Sequence, residues 1–447
     1  VVLHHLDSSA AGIETFTGMQ GEMGVPVSTM GPSLNAKRGP SCTSLRGLDW
    51  FAFFVADIQT SFGPFLAVYL TTQKWTLADI GLVLTIGSLI SLVGQMPGGA
   101  VVDAARSVRR AAAAAVIGIG ASALVLALLP IFIIVVAARV LHAGSSCVLG
   151  PAIAAISLGL VGRAAIGERL GRNARFASIG NGLSAAVMGG LGYLLSSVAV
   201  FLVSAALAIP ALIALFRIRA GEIDPAAAHG GSPEPKGARL SEGLRLLSHN
   251  RPLLVLSGCA ALFHLANSTM LPLMASTVTK QMPARATIVI AACIVVPQLV
   301  VALCSPGVGR KAQTLGRKKI LLLGFIALPV RGLLLAFVSN PYLLIAVQVL
   351  DGVSAAVLGV LIPLISADVT RGTGHFNLAQ GMIGTAVGVG ASISGVLTGY
   401  AADLFGTSVT FLMLASAGAA GLVSVWALMP ETRGSVTQPP TRRTAGR

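Results

Sequence analysis

Charge is what this chain has least of. Only 11% of its 447 residues are Asp, Glu, Lys or Arg, against about 25% in soluble globular domains. Acidic residues are the scarcer kind, 16 against 31 basic ones, which leaves a formal net charge of +15. Cysteine is sparse: Cys42, Cys147, Cys259, Cys293 and Cys304. Four of them lie in apolar runs and none forms a C-x-x-C pair, which excludes a disulfide framework and a thiolate metal site. There is no Walker sequence, no cluster of metal-ligand residues and no nucleophile elbow. These absences argue against an enzyme and against ATP-driven work, and they imply no cofactor.

What fills the chain instead is apolar: 54% hydrophobic residues and a mean hydropathy of +0.83. A folded domain of this size still exposes much of its surface, so water is the wrong solvent for this composition. The expected class is an all-α polytopic membrane protein. The 52 Gly and 22 Pro fit that class, because small residues let membrane helices approach closely.

A membrane helix needs about 20 apolar residues to cross ~30 Å of hydrocarbon. Twelve such runs are present, near 47–70, 77–102, 111–129, 131–158, 176–194, 197–216, 253–278, 286–306, 320–338, 342–366, 376–400 and 407–429. They predict two six-helix halves, 46–216 and 252–430, joined by a mobile hydrophilic linker at 217–251. Residues 1–45 are expected to be a disordered tail, lacking the basic head and apolar run of a secretory signal, and 431–447 a C-terminal tail.

Lysine and arginine placement gives the orientation. With both termini in the cytoplasm, 26 of the 31 basic residues fall on that side, Lys74, Lys280 and Arg285 fall outside, and Arg139 and Arg331 lie within the membrane. That asymmetry accounts for the basic pI of about 10.5 without nucleic acid. The expected location is the plasma membrane, or the inner membrane of a Gram-negative cell, with the chain working as a monomer.

The two halves repeat. RVLHAGSSCVLG at 139–150 and QVLDGVSAAVLG at 348–359 share six identical positions at an offset of 209. GAVVDAARSVRR from Gly99 and GRKAQTLGRKK from Gly309 follow at an offset of 210. Matching offsets in separate regions point to a six-plus-six duplication.

These two loops resemble the loop signature of the major facilitator superfamily, G-x-x-x-D-R-x-G-R-R/K. The first keeps Gly99 and Asp103 and supplies basic charge from Arg106, Arg109 and Arg110. The second keeps Gly309, Gly316, Arg317 and Lys318 but has Gln313 and Thr314 in place of Asp-Arg. Pro430-Glu431-Thr432-Arg433-Gly434 is similar to the ending after the last helix in many members. The resemblance covers residues 45–435. It implies a cytoplasmic latch, in which Asp103 sits at a helix N-terminus and on nearby arginines. Helix 4 carries part of the R-x-x-Q-G-x-G/A pattern of drug:proton antiporters: Arg139, His142 in place of Gln, and Gly144 displaced by one. Helix 5 lacks the proline of the antiporter Gly-Pro pattern, although Gly180, Gly182, Gly189, Gly190 and Gly192 lie there.

Ionisable groups inside a bilayer cost about 2.5–3.5 kcal/mol each and mark function. Here they are Asp57, Arg139, His142, His264, Arg331 and Asp351, with Asn267 close to His264. The resemblance implies that helices 1, 4, 7 and 10 line a central cavity, and all but Arg331 fall on those helices. The expected substrate cavity is therefore Asp57, Arg139, His142, His264, Asn267 and Asp351. Proton coupling is expected from an Asp57–Arg139 pair at matching depth, with Asp351 or His142 as the alternative carrier. Arg331 is expected to pair with a neighbouring helix for structure. On helix 11, Gly384, Gly388, Gly395 and Gly399 form two GxxxG pairs suited to close packing between the halves.

The function expected from all this is secondary active transport, with proton-coupled export of a small organic molecule such as a drug or metabolite. A proton symporter or uniporter importing a metabolite is the alternative, and a non-transporting membrane sensor a third class.

Overall fold

The computed structural model describes residues 39–60, 64–231, 240–282 and 286–433. The expected tail as far as residue 38, Pro233 and Pro235 of the linker, Arg285 and the last fourteen residues lie outside that set. The regular structure among the described residues is helical.

Helix 1 is Cys42–Thr60 and Pro64–Thr72, on either side of residues 61–63, so the end of the expected tail is already helical. Helix 2 is Leu77–Ala104, helix 3 Val108–Leu128 and helix 6 Ser197–Phe216. Helix 7 is Arg251–Asn267 continued by Met270–Gln281. Helices 8, 9 and 10 are Ala286–Leu315, Arg317–Phe337 and Pro341–Val369. Among the described residues, nine helices are long and apolar enough to cross a bilayer. Two of these, Phe132–Leu194 and Phe376–Leu428, break at Gly162 (φ 66°) and Gly406 (φ 80°), a backbone region that favours glycine.

Both long segments fold back at those glycines. Asn173 donates to Ser157 at 2.7 Å, although sixteen residues of straight helix would span about 24 Å. Gly390 packs on Ala261 and Gly421 on Leu262, adjacent residues of helix 7. They therefore supply helices 4 and 5, and helices 11 and 12. The nine become eleven, and the two pieces of helix 1 make the twelfth.

Helix 5 begins just after Gly162, well before the expected 176, and helix 8 runs to Leu315 instead of 306. The extra turns carry Arg163, Arg169 and Arg172, or Arg310 and Lys311, and so read as loop by hydropathy. Each half has its own apolar core. One joins Leu48, Phe51, Tyr69, Val116, Ile119 and Phe201. The other is centred on Phe263, Met270, Phe325, Leu361 and Phe376, and it reaches Leu158 and Leu170 of the first half.

The described part of the expected linker is tied down on both halves. Asp224 donates its amide to the Gly159 carbonyl at 2.9 Å, and Glu222 accepts from the amide and hydroxyl of Ser41. The Gly230 carbonyl accepts from Gly372 N at 2.7 Å and from Arg163 Nη2 at 3.1 Å. Both ends of the described chain gather at this end of the bundle, called the terminal end below.

The halves meet there through two glycine-lined helix crossings. A Cβ on Gly99 (helix 2) would strike the Asn377 backbone (helix 11), and one on Gly381 would strike the backbone of Gln95 and Met96. In the other crossing, Gly309 (helix 8) lies on the Gly167 backbone (helix 5), and Gly171 on that of Ser305 and Pro306. Every partner in one crossing has its counterpart 210 residues away in the other, which is the offset of the repeated loops. Gly384 and Gly388 extend the helix 2 contact onto Gln95 and Leu92, whereas Gly395 and Gly399 face open space.

Because Gly381 faces backbone, a side chain there has no flexible neighbour to displace. Gly381→Leu is expected to hold helices 2 and 11 apart, at a cost to the closed form of about 1–3 kcal/mol. A single cysteine at Ala177, in a background without native cysteines, should then label severalfold faster from the terminal end. An unchanged labelling rate would show that this crossing does not seal the bundle.

Candidate functional site

Between the halves lies a cavity of about 660 Å³, inside the range of small-molecule sites. Its wall comes from helices 1, 2, 4 and 5 of one half and 7, 10 and 11 of the other. Most of the wall is apolar: Ala52, Val55, Ile153, Phe263, Leu358 and Ile383, for example. The polar wall is Gln59, Gln95, Asn173, Asn181, His264, Asn267 and Gln380. No Asp, Glu, Lys or Arg is among the described lining residues.

Two of the carboxamides are oriented by buried arginines behind the wall. Arg331 donates to Asn267 Oδ1 at 2.6 Å, to Asp351 Oδ1 at 2.6 Å and to Gln348 Oε1 at 2.7 Å. In the other half, Arg169 donates through Nε to Asn173 Oδ1 at 2.9 Å and also to Asp49, which Arg172 grips through both carboxylate oxygens. A guanidinium only donates, so each amide must turn its oxygen to the arginine. Asn173 passes its own donor on to Ser157.

This arrangement redraws the expected site. Of the six expected cavity residues, His264 and Asn267 line the cavity, while Asp57, Arg139, His142 and Asp351 do not. No ion pair joins Asp57 and Arg139. Asp57 is buried against helix 5, where Ser184 donates to its carbonyl oxygen at 3.3 Å. Arg139 packs on Gly87 of helix 2 and lies 3.1 Å from His142 Nδ1. That nitrogen must be the acceptor, so protonating His142 would set two cations against each other. Depth along a helix matched for Asp57 and Arg139, but depth does not fix the direction a side chain faces.

Asp351 is paired, with Arg331 rather than across the cavity, and Arg331 is thereby joined to the cavity wall through Asn267. Asp49, Arg169 and Arg172 escape a reading from sequence, because the arginines lie where charges read as topology anchors and Asp49 sits at the edge of the first span. Of the carboxamides only Asn267 was expected; the others were missed because neutral side chains raise no alarm in an apolar run.

At the latch, Asp103 sits at the start of helix 11, accepting from Asn377 N at 3.1 Å, Asn377 Nδ2 at 2.8 Å and Leu378 N at 2.7 Å. The expected arginine partners are elsewhere. Arg109 donates to the Ile218 carbonyl at 2.6 Å and stacks on Phe216. Arg106, Arg109 and Arg110 line a separate pocket that includes His229. In the second copy, Gln313 replaces the carboxylate and donates to the Ala164 carbonyl at 2.7 Å. There Glu431 caps helix 9 instead, accepting from Arg317 N at 2.8 Å and Lys318 N at 3.1 Å, just past Gly316 (φ 105°). The Arg317 side chain pairs with Asp368 at 2.9 Å.

The model of the Major Facilitator Superfamily matches residues 49–301 and 259–446. The chain belongs to this superfamily. Uncharacterised MFS-type transporters from two strains of Mycobacterium tuberculosis are 36% identical over 410 residues, covering 90% of this chain and 96% of theirs. Among solved structures, the MFS transporter FucP in its outward conformation superposes with a TM-score of 0.70 at 13% identity, over 85% of this chain and 97% of that one. The human organic anion transporter MFSD10 (TETRAN) superposes with a TM-score of 0.62 at 16% identity, over 86% and 100%. The shared fold is that of a multi-pass membrane transporter.

Two outcomes follow for the latch. Asp103→Asn removes the charge at the helix 11 N-terminus, worth about 1–2 kcal/mol in the closed form, and should speed labelling of a cavity cysteine from the terminal end about tenfold. Equal labelling would make Asp103 a bystander. For Glu431, burial works against the charge. The amides of Arg433, Arg317 and Lys318 outweigh it and hold the carboxyl below its ordinary value of 4.5. Its stabilisation is therefore present above that value and lost as pH falls through the lowered one. Melting temperature should drop more steeply below about pH 4.5 in the wild type than in Glu431→Gln; parallel curves would contradict this.

Proposed function

We propose that the chain exports a small organic molecule in exchange for protons, by alternating access across the plasma membrane, with both termini in the cytoplasm. The observation that carries this reading is a cavity of about 660 Å³ between two halves whose terminal ends are held by paired glycine crossings. Crossings of packed backbone are made or broken as units, so they suit a two-state gate. The basic residues favour a cytoplasmic terminal end. Export rests on the helix 4 residues Arg139, His142 and Gly144 alone.

The coupling acid in this reading is Asp351. Its carboxylate neutralises Arg331, which is buried and also orients Asn267 in the cavity wall. Protonating Asp351 would leave a buried guanidinium without its counter-charge, a state that costs about 3–5 kcal/mol in known buried pairs. That cost falls when the site opens to water. The proton state, the cavity wall and the open form are thus linked through one side chain. Asp57 remains the second candidate, without a charged partner among the described residues to transmit its protonation.

A compound screen in inverted vesicles, with and without a proton gradient, would supply the substrate for the decisive comparison. Asp351→Asn should abolish gradient-driven accumulation, by about tenfold or more, while gradient-free exchange persists. Asp57→Asn should keep both. Wild-type accumulation by Asp351→Asn would move the coupling role to Asp57 or His142.

A further inference from the structure

We infer that the substrate is an uncharged, oxygen-bearing molecule with an apolar body. The inference rests on the transport reading above and names the kind of molecule that the same cavity takes. Three observations on the wall converge. First, none of its described residues is an Asp, Glu, Lys or Arg, so a bound ion meets no opposite charge. Second, the buried arginines that hold wall carboxamides are already spoken for: Arg331 by Asp351, and Arg169 by Asp49. An anion approaching either arginine competes with a carboxylate already in place, and a cation finds each carboxylate already held by a guanidinium.

Third, the polar wall is made of carboxamides, Gln59, Gln95, Asn173, Asn181, Asn267 and Gln380, together with His264. One of them, Asn267, is turned to donate. Arg331 occupies the oxygen of Asn267, which leaves that amide nitrogen to serve the cavity. Gln380 Nε2 is buried without a hydrogen-bond partner among the described residues. A buried donor left unpaired is costly, so an occupant that supplies acceptor oxygens is favoured. Carbonyl, ether and hydroxyl oxygens do this without bringing charge. The remaining wall, from Ala52, Val55, Phe263, Leu358 and Ile383, accommodates an apolar body.

The test uses the purified full-length chain and three β-glucosides of one phenyl scaffold, bearing a para carboxamide, aminomethyl or carboxylate group. These are neutral, cationic and anionic at pH 7 and otherwise closely matched. The carboxamide glucoside should raise the melting temperature and bind at least about tenfold more tightly than either charged member, a difference of about 1.4 kcal/mol. Gln380→Lys, and separately Gln59→Lys, should shift the preference towards the carboxylate. Equal or tighter binding of a charged member to the wild type would overturn the inference, as would failure of all three to stabilise it. Counterflow in proteoliposomes separates the two readings. If the carboxamide glucoside binds but does not exchange, transport fails and the ligand class stands. If a charged member exchanges, transport stands and the ligand class fails.

Discussion

Two pairs of helices come within backbone contact at one end of the bundle, and glycine is what lets them. At Gly99, Gly171, Gly309 and Gly381 a single added carbon would meet main chain of the opposite half. Main chain inside a helix cannot step aside as a side chain can, so each contact is either made or fully released. In the proposed gate, the cavity closes at that end only while both crossings hold. Asp103 stabilises one of them through the first amides of helix 11. The other has Gln313 in the corresponding place, bound to a carbonyl of the opposite half. The duplicated scaffold thus carries unequal fastenings, one charged and one neutral.

Behind the cavity the halves use the same device with different parts. A buried arginine faces a carboxylate and orients a cavity asparagine: Arg331, Asp351 and Asn267 in one half, Arg169, Asp49 and Asn173 in the other. The second cluster also engages Arg172 and lies near the start of helix 5, close to the crossing. The first lies deep in the bundle and involves helices 7, 9 and 10. Charge is therefore kept out of the described cavity wall yet held one side chain behind it. That arrangement lets a neutral wall respond to a change of protonation nearby.

Much of the fold was legible in the sequence because lipid imposes length and hydropathy on every span. The two places where spans looked too short, helices 5 and 8, are where the chain carries its charges into the crossing region. Hydropathy has no means of separating a charge on a loop from one on a protruding helical turn. The repeated offset located the crossings: Gly99 and Gly309 were chosen from motif spacing, and both lie on backbone of the opposite half. Their partners Gly171 and Gly381 belong to no such motif. The candidate site was read less well. Charge scarcity drew attention to Asp57, Arg139 and His142, which pack among helices of their own half. The wall is built of residues that sequence hydropathy treats as minor interruptions.

The central claim is that the glycine crossings form a two-state gate at the terminal end of the bundle. The most direct measurement is the distance distribution between spin labels on the exposed positions Arg106 and Arg371, which lie beside the helix 2–helix 11 crossing. The account predicts two separate populations in lipid, the shorter one matching the closed crossing, with Asp103→Asn moving weight to the longer without shifting either peak. A single short distance unaffected by Asp103→Asn, or one broad peak that slides continuously, would contradict it.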